Sequence, residues 1–203
     1  MNASSPATGS GGFLKSLNCD RGYGIALAGG CLLLAVPEFF GEPARPLLSF
    51  DRESLAAGQW WRLLSAHFVH LDLEHTVLNC LGVLLMWALF ARDYSPWRWV
   101  AIYCGSCFAV SAGLWFASPD VPWYVGASGA LHGVMTAGTI AHLRRRDLDG
   151  WILTAAIIAK LSYEQLVGPL PFAGPNTIAD AHLYGAIGGV VLALLLKSRR
   201  EPY

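Results

Sequence analysis

Charge is scarce in this chain of 203 residues: Lys and Arg total 14, Asp and Glu total 14, and together they make up 14% of the sequence. An average soluble domain carries about 25%. The two signs cancel, so no basic field exists to attract nucleic acid. Cysteine is also sparse. Cys104 and Cys107 form a C-x-x-C, but the second pair that a zinc site needs is missing. The other cysteines, Cys19, Cys31 and Cys80, read with them as small apolar residues. No internal repeat of the kind transporters carry is evident, which argues against a proton-relaying transporter. No convincing small-x-small cleavage site follows the first apolar run, so that run reads as a membrane helix and not as a signal peptide.

What the chain has in abundance is hydrocarbon. Hydrophobic residues make up 54%, and the mean hydropathy is +0.43. After a Gly/Ser-rich stretch over 1–18 come six apolar spans, at about 22–40, 73–91, 97–117, 128–143, 150–168 and 178–196. Each approaches the ~20 residues needed to cross the bilayer core. The expected organisation is a flexible tail over 1–21 and one six-helix membrane domain over 22–203. The long loop 41–72 mixes Leu47, Leu48, Phe50, Trp60 and Trp61 with Asp51, Glu53 and Arg62, a composition suited to the membrane interface.

Cations orient the spans. Lys15, Arg21, Arg92, Arg98, Arg144, Arg145, Arg146, Lys197, Arg199 and Arg200 fall on one side if all six spans cross, against Arg45, Arg52 and Arg62 on the other. The positive-inside rule then places both termini in the cytoplasm. The starts of spans 2, 4 and 6 open to the opposite side, which is the periplasm in a Gram-negative-type cell.

Polar residues inside a membrane are costly and mark candidate sites. In span 2, His75 and Asn79 are four apart and share a helix face, with His70 at the entrance. They read either as interhelical hydrogen-bonding glue or as functional groups. Metal ligation by His67, His70 and His75 is a third option, but the H-E-x-x-H spacing is lacking. In span 6, His182 precedes Gly185 and Gly189, a smooth face for another helix. Asp180 points elsewhere than His182, because i and i+2 diverge on a helix, and suits the helix N-terminus. Lys160 and Glu164 make an i, i+4 pair in span 5, read as self-neutralising or as a gating element. His142 suits the cation-favouring end of span 4.

Ser128 stands in "VGASGALHGV" at the start of span 4. Gly129 and Gly133 give a packing reading of this stretch. The order G-A-S-G-A differs from the G-x-S-x-G elbow of α/β-hydrolases, and no strand pattern precedes it. A serine at a helix N-terminus has free N–H groups beside it that suit an oxyanion. It needs a base within reach, and His182 enters from the same face.

Taken together, Trp61-Arg62, His70, His75, Asn79, Gly126-x-Ser128-Gly129 and His182-x-x-Gly185-x-x-x-Gly189 resemble the rhomboid intramembrane serine proteases, in the family's order over about 22–197. The resemblance implies a Ser128–His182 dyad with no acid partner and no cofactor or metal. It implies an oxyanion site from His75, Asn79 and the Ser128 N–H, and a supporting role for His70. Where many members carry a tyrosine four residues after the serine, this chain has His132, placed to stack on His182. The run "GASGALHG" is similar to the bacterial rhombosortase branch. That likeness implies membrane-anchored substrates bearing a C-terminal Gly-Gly motif, a membrane helix and a basic tail, in the inner membrane, with no nucleic-acid partner. The alternative is a rhomboid-like protein that holds membrane helices without cutting them; the presence of both nucleophile and base argues against it.

Overall fold

The computed structural model describes residues 19–20, 22–40, 43–170 and 177–199. The expected tail over 1–21 lies almost wholly outside the described residues. Six long helices account for most of the chain: α1 (Tyr23–Phe39), α5 (Leu73–Phe90), α6 (Pro96–Ala117), α7 (Ser128–Arg145), α8 (Leu148–Leu166) and α9 (Ala179–Leu195). Their ends fall within two residues of the apolar spans read from the sequence. Leu73–Asp93 and Pro96–Ala117 are long and apolar enough to cross a membrane by length and composition, and Tyr23–Phe39 and Ala179–Leu195 are shorter apolar helices.

The distribution of polarity is inverted relative to a water-soluble bundle. Leu78, Leu81 and Leu85 on α5, Ile152 and Ile158 on α8, and Val191 and Leu194 on α9 face outward. Ser106, Ser111, Thr136, Thr139 and His142 are buried. A helix bundle with an apolar exterior is matched to hydrocarbon, where clustering apolar groups inside gives no advantage.

Helix α7 is the hub. It is built from small residues and buries Gly129, Ala130, Gly133, Ala137, Gly138 and Ala141. That slenderness lets α9 lie directly against it. A Cβ on Gly185 would collide with the Gly129 carbonyl, and one on Gly189 with the Gly133 carbonyl. Backbone-to-backbone contact of this kind is what small residues permit between membrane helices.

The segment between α1 and α5 is more structured than its composition suggests. It contains α2 (Ala44–Leu48), strand β1 (Phe50–Asp51), α3 (Arg52–Ala56) and α4 (Arg62–Ser65). Strand β1 pairs antiparallel with β2 (Trp123–Tyr124), Phe50 opposite Tyr124. A strand therefore does precede Ser128, contrary to the reading above; two residues are too few to show a period of two. Phe50 is another correction. The pairing turns it inward, where it packs with Leu55, Leu114 and Tyr124, whereas Leu47, Trp60 and Trp61 are exposed.

Arg52 and Arg62 hold this segment in place. Arg52 donates to the carbonyls of Leu114, Trp115 and Ser118 at the end of α6 and lies over the Trp115 ring. These are the carbonyls a helix terminus leaves without partners. Arg62, buried, donates to the carbonyls of Pro46 and Ser49 at 2.8 and 2.7 Å and to the Gln59 side chain at 2.8 Å. Asp51 caps α3 by accepting from the Ser54 N–H at 2.8 Å. Hydrogen bonding from Ser54 holds its carboxyl below the usual carboxylate range.

At the opposite end, buried Asp93 accepts from Arg145 at 2.5 Å and meets His142 Nε2 at 3.0 Å, while His142 Nδ1 meets Asp149 at 2.7 Å. His142 thus ties the α7–α8 turn to the end of α5. Asp93→Ala leaves Arg145 and His142 without their shared acceptor. Breaking a buried pair from one side costs about 3–5 kcal/mol, so the variant is expected to lose at least about 2 kcal/mol in unfolding from mixed micelles. Wild-type stability would show that this network carries no weight. Of the cysteines, Cys107 is buried and the other four are half-buried.

Candidate active site

The turn into α7 is fixed from three directions. Gly126 adopts φ +115°, a left-handed conformation that favours glycine. Its N–H donates to the Ala66 carbonyl at 3.0 Å, and its carbonyl accepts from the Tyr124 hydroxyl at 2.7 Å. The absence of a side chain also admits His75, since a Cβ there would lie 2.8 Å from the imidazole Cε1.

Ser128 is thereby placed at the first residue of α7. The cap residue, Ala127, has no side-chain acceptor. First-turn N–H groups of a helix have no intrahelical partner, which makes the Ser128 N–H a candidate donor to an incoming anion.

His182 stands one turn into α9. Its Nε2 is 3.1 Å from Ser128 Oγ. The close passage of α9 over α7, set by Gly185 against Gly129, is what brings these two side chains within hydrogen-bond reach. His132 lies one turn along α7 from Ser128. Its Nδ1 meets the Ser128 carbonyl at 2.7 Å, and its ring stacks on His182 with centroids 4.1 Å apart and planes at 22°. A carbonyl only accepts, so Nδ1 of His132 carries the proton.

The other face of the site is α5. Asp72 caps it through the His75 N–H at 2.8 Å, which sets His75 in the first turn. Asn79 follows one turn later, buried, its amide donating to the His75 carbonyl at 2.9 Å. His75 against Gly126 and Gly82 against Leu131 show that this face of α5 packs on α7; Asn79 lies between them on the same face.

His70 is buried beside His75, with ring centroids 5.0 Å apart. Burial pushes its pKa down to about 3, with His75 beside it adding to the shift, so it is neutral at physiological pH. Its carbonyl accepts from Arg45 at 2.7 Å, a tie within the first loop. Trp61 donates to the Leu47 carbonyl at 3.2 Å in the same loop. His67 is drawn away from His70 and His75 toward α6, where Nε2 meets Ser111 Oγ at 3.1 Å. Burial lowers its pKa to about 4.

Asp180 turns from His182, as its helix position predicts, and accepts from Ser118 Oγ at 2.5 Å, joining α9 to the end of α6. The side chain that does reach His182 is Glu164 on α8. Its Oε2 is 3.0 Å from His182 Nδ1, and its Oε1 is 2.7 Å from Lys160 Nζ. The sequence shows Lys160 and Glu164 as a pair but gives no sign of this third partner. The available hint is an acid in an otherwise apolar helix, which must find buried company.

Donor atoms of His132, Glu164 and His182 lie within 4.8 Å of one another. The Lys160 ammonium already compensates the carboxylate, and it stands 3.5 Å from His182 Nδ1. That positive charge opposes a cation. The arrangement as built is an alcohol at the start of a helix facing an imidazole, with a carboxylate behind.

Comparison with known proteins bears on the family of the chain. The Rhomboid domain matches residues 57–199. The chain is 29% identical over 169 residues to the candidate rhomboid protease YdcA of Bacillus subtilis (strain 168), covering 80% of this chain and 83% of that one. It is 29% identical over 150 residues to the rhomboid protease GluP of the same organism, covering 72% of this chain and 28% of GluP.

Proposed function

The chain belongs to the rhomboid family, and from that premise we propose that it is an intramembrane serine protease in which Ser128 is the nucleophile and His182 the general base. The carrying observation is the 3.1 Å approach of His182 Nε2 to Ser128 Oγ. Family membership supports an integral membrane protein acting on membrane-protein substrates. The reading of the chain as a helix-holding, inactive relative has less support, because nucleophile and base face each other.

A substrate helix enters between the spans and unwinds at its end, exposing a peptide carbonyl. Ser128 Oγ attacks the carbonyl carbon while its proton passes to His182 Nε2. The carbonyl π electrons move to oxygen, and the Ser128 N–H, His75 and Asn79 receive the oxyanion. The protonated His182 then delivers its proton to the leaving amine as the C–N bond breaks. Water, or another amine, attacks the acyl-enzyme and restores Ser128. His132 keeps the His182 ring oriented by stacking; Gly126 admits His75 at the turn into α7; Gly129, Gly185 and Gly189 keep α7 and α9 close; Trp61, Arg62 and His70 hold the first loop.

In this reading residues 22–203 form one six-span domain in a bacterial inner membrane, with cytoplasmic termini and a site open to the periplasm. The substrates are those of the rhombosortase branch, with C-terminal Gly-Gly, membrane helix and basic tail. Support comes from "GASGALHG" and from His132 stacked on His182.

Co-expression with a reporter carrying such a tail is the test, read by C-terminal mass. The tail is expected to be removed at or near Gly-Gly. Equal cleavage of a reporter with Leu-Leu in place of Gly-Gly would refute the sorting reading and leave the protease reading standing.

A further inference from the structure

The resemblance implies a dyad, yet His182 has an acid at its back. Glu164 sits on α8 and His182 on α9, eighteen residues apart, and the Glu164 side chain is 1% exposed. A buried carboxylate on an apolar helix needs compensation. Lys160, one turn earlier, supplies it at Oε1. Were neutralisation the whole purpose of the pair, Oε2 would need nothing further. Instead Oε2 lies 3.0 Å from His182 Nδ1, the nitrogen opposite the one that faces Ser128.

That geometry has a chemical consequence. An ionised carboxylate can only accept, and at 3.0 Å it is nearer to Nδ1 than the Lys160 ammonium at 3.5 Å, so the proton belongs on Nδ1. Nε2 is then left with its lone pair pointing at Ser128 Oγ, the tautomer a general base requires. When Nε2 takes the serine proton, the new imidazolium sits against an anion already in place. The proton on Nδ1 stays there and Glu164 remains ionised. His132 stacks on one ring face, so the imidazole is fixed at both nitrogens and across its plane.

We propose that Glu164 is the positioning acid of a Ser128–His182–Glu164 relay, with Lys160 holding the carboxylate ionised and in place. This rests on the reading of Ser128 and His182 as nucleophile and base. It differs from a self-neutralising or gating pair because it assigns Glu164 a partner on another helix and fixes a tautomer.

The test uses the full chain in detergent micelles, a fluorophosphonate probe that phosphonylates the active serine, and nitrogen NMR of 15N-histidine-labelled protein. The His182 signals are identified by their loss in His182→Ala. Wild type is expected to show His182 protonated at Nδ1 and bare at Nε2. Loss of the buried acid in serine proteases costs on the order of 10⁴-fold in rate. With His132 still orienting the ring, Glu164→Gln is expected to slow labelling by about 10²- to 10⁴-fold, in the maximal rate and not in probe affinity, and to mix the two tautomers. Because Glu164→Gln leaves the Lys160 ammonium alone, the double variant Glu164→Gln, Lys160→Met is measured too and is expected to stay slow. Glu164→Asp is expected to recover part of the rate.

Labelling at the wild-type rate in Glu164→Gln, recovery of the full rate in the double variant, or wild-type His182 carrying its proton on Nε2 would each overturn the relay. Wild type that takes no label at Ser128 would overturn the protease reading itself, and the relay with it. Wild type that labels while Glu164→Gln is unimpaired would overturn the relay alone.

Discussion

Ser128→Ala is expected to lower cleavage of a membrane-anchored substrate by on the order of 10⁴-fold or more while leaving the bundle folded. The rate follows from removing the atom that forms the covalent bond in the proposed mechanism; what remains is binding and the oxyanion donors, which alone supply a small part of serine-protease catalysis. The fold follows from what the hydroxyl contributes to structure. Ser128 is half-buried, and its Oγ hydrogen-bonds to His182. A single hydrogen bond is worth about 1 kcal/mol. Labelling by a fluorophosphonate should vanish together with cleavage, and thermal unfolding should shift by a few degrees at most. A variant that cuts at the wild-type rate would take Ser128 out of the chemistry.

Gly185→Val is expected to remove activity by a different route, without touching a reacting atom. A side chain at 185 must enter the space of the Gly129 carbonyl. Backbone cannot rotate away as a side chain can, so α9 must lift from α7. Overpacking typically costs about 1–3 kcal/mol, and the larger end applies where the obstacle is main chain. The lift separates His182 from Ser128. Misplacement by about 1 Å costs about 10²-fold in rate, so activity should fall by at least that much and the unfolding temperature with it. Gly30→Ala serves as the comparison, since its Cβ would lie 3.6 Å from Val83, an ordinary contact. Gly185→Val with wild-type activity would mean that the α7–α9 approach is not what assembles the site.

These two positions also show what a sequence can disclose. The long helices are legible because hydrocarbon runs of fixed length are a strong signal, and α7 and α9 end within two residues of the apolar runs. Ser128 and His182 stood out because each polar group sits beside glycines at the same end of its helix, so proximity could be argued from orientation and smoothness. Glu164 was visible as an oddity, but its i, i+4 lysine gave a sufficient local explanation. Nothing in a one-dimensional pattern says which other helix a buried acid faces. The β1–β2 pair escaped for a related reason: two residues carry no periodicity, and the partner strand is about seventy positions away. Phe50 goes with it, because its apolar neighbours Leu47 and Trp60 are exposed while Phe50 and Leu55 are turned inward. Arg52 reads in the sequence as a topological charge, and the pattern gives no sign that it also terminates α6.

The inverted polarity of the bundle sets the terms on which the cell could detect a damaged copy. In a water-soluble protein, an opened core betrays itself as grease. Here the outside is already grease, and separating α7 from its neighbours would bring Ser106, Thr136 and His142 to face acyl chains. The mark of a misassembled molecule is therefore stray polarity at membrane depth, and surveillance of this chain must recognise hydrophilic groups in the wrong place.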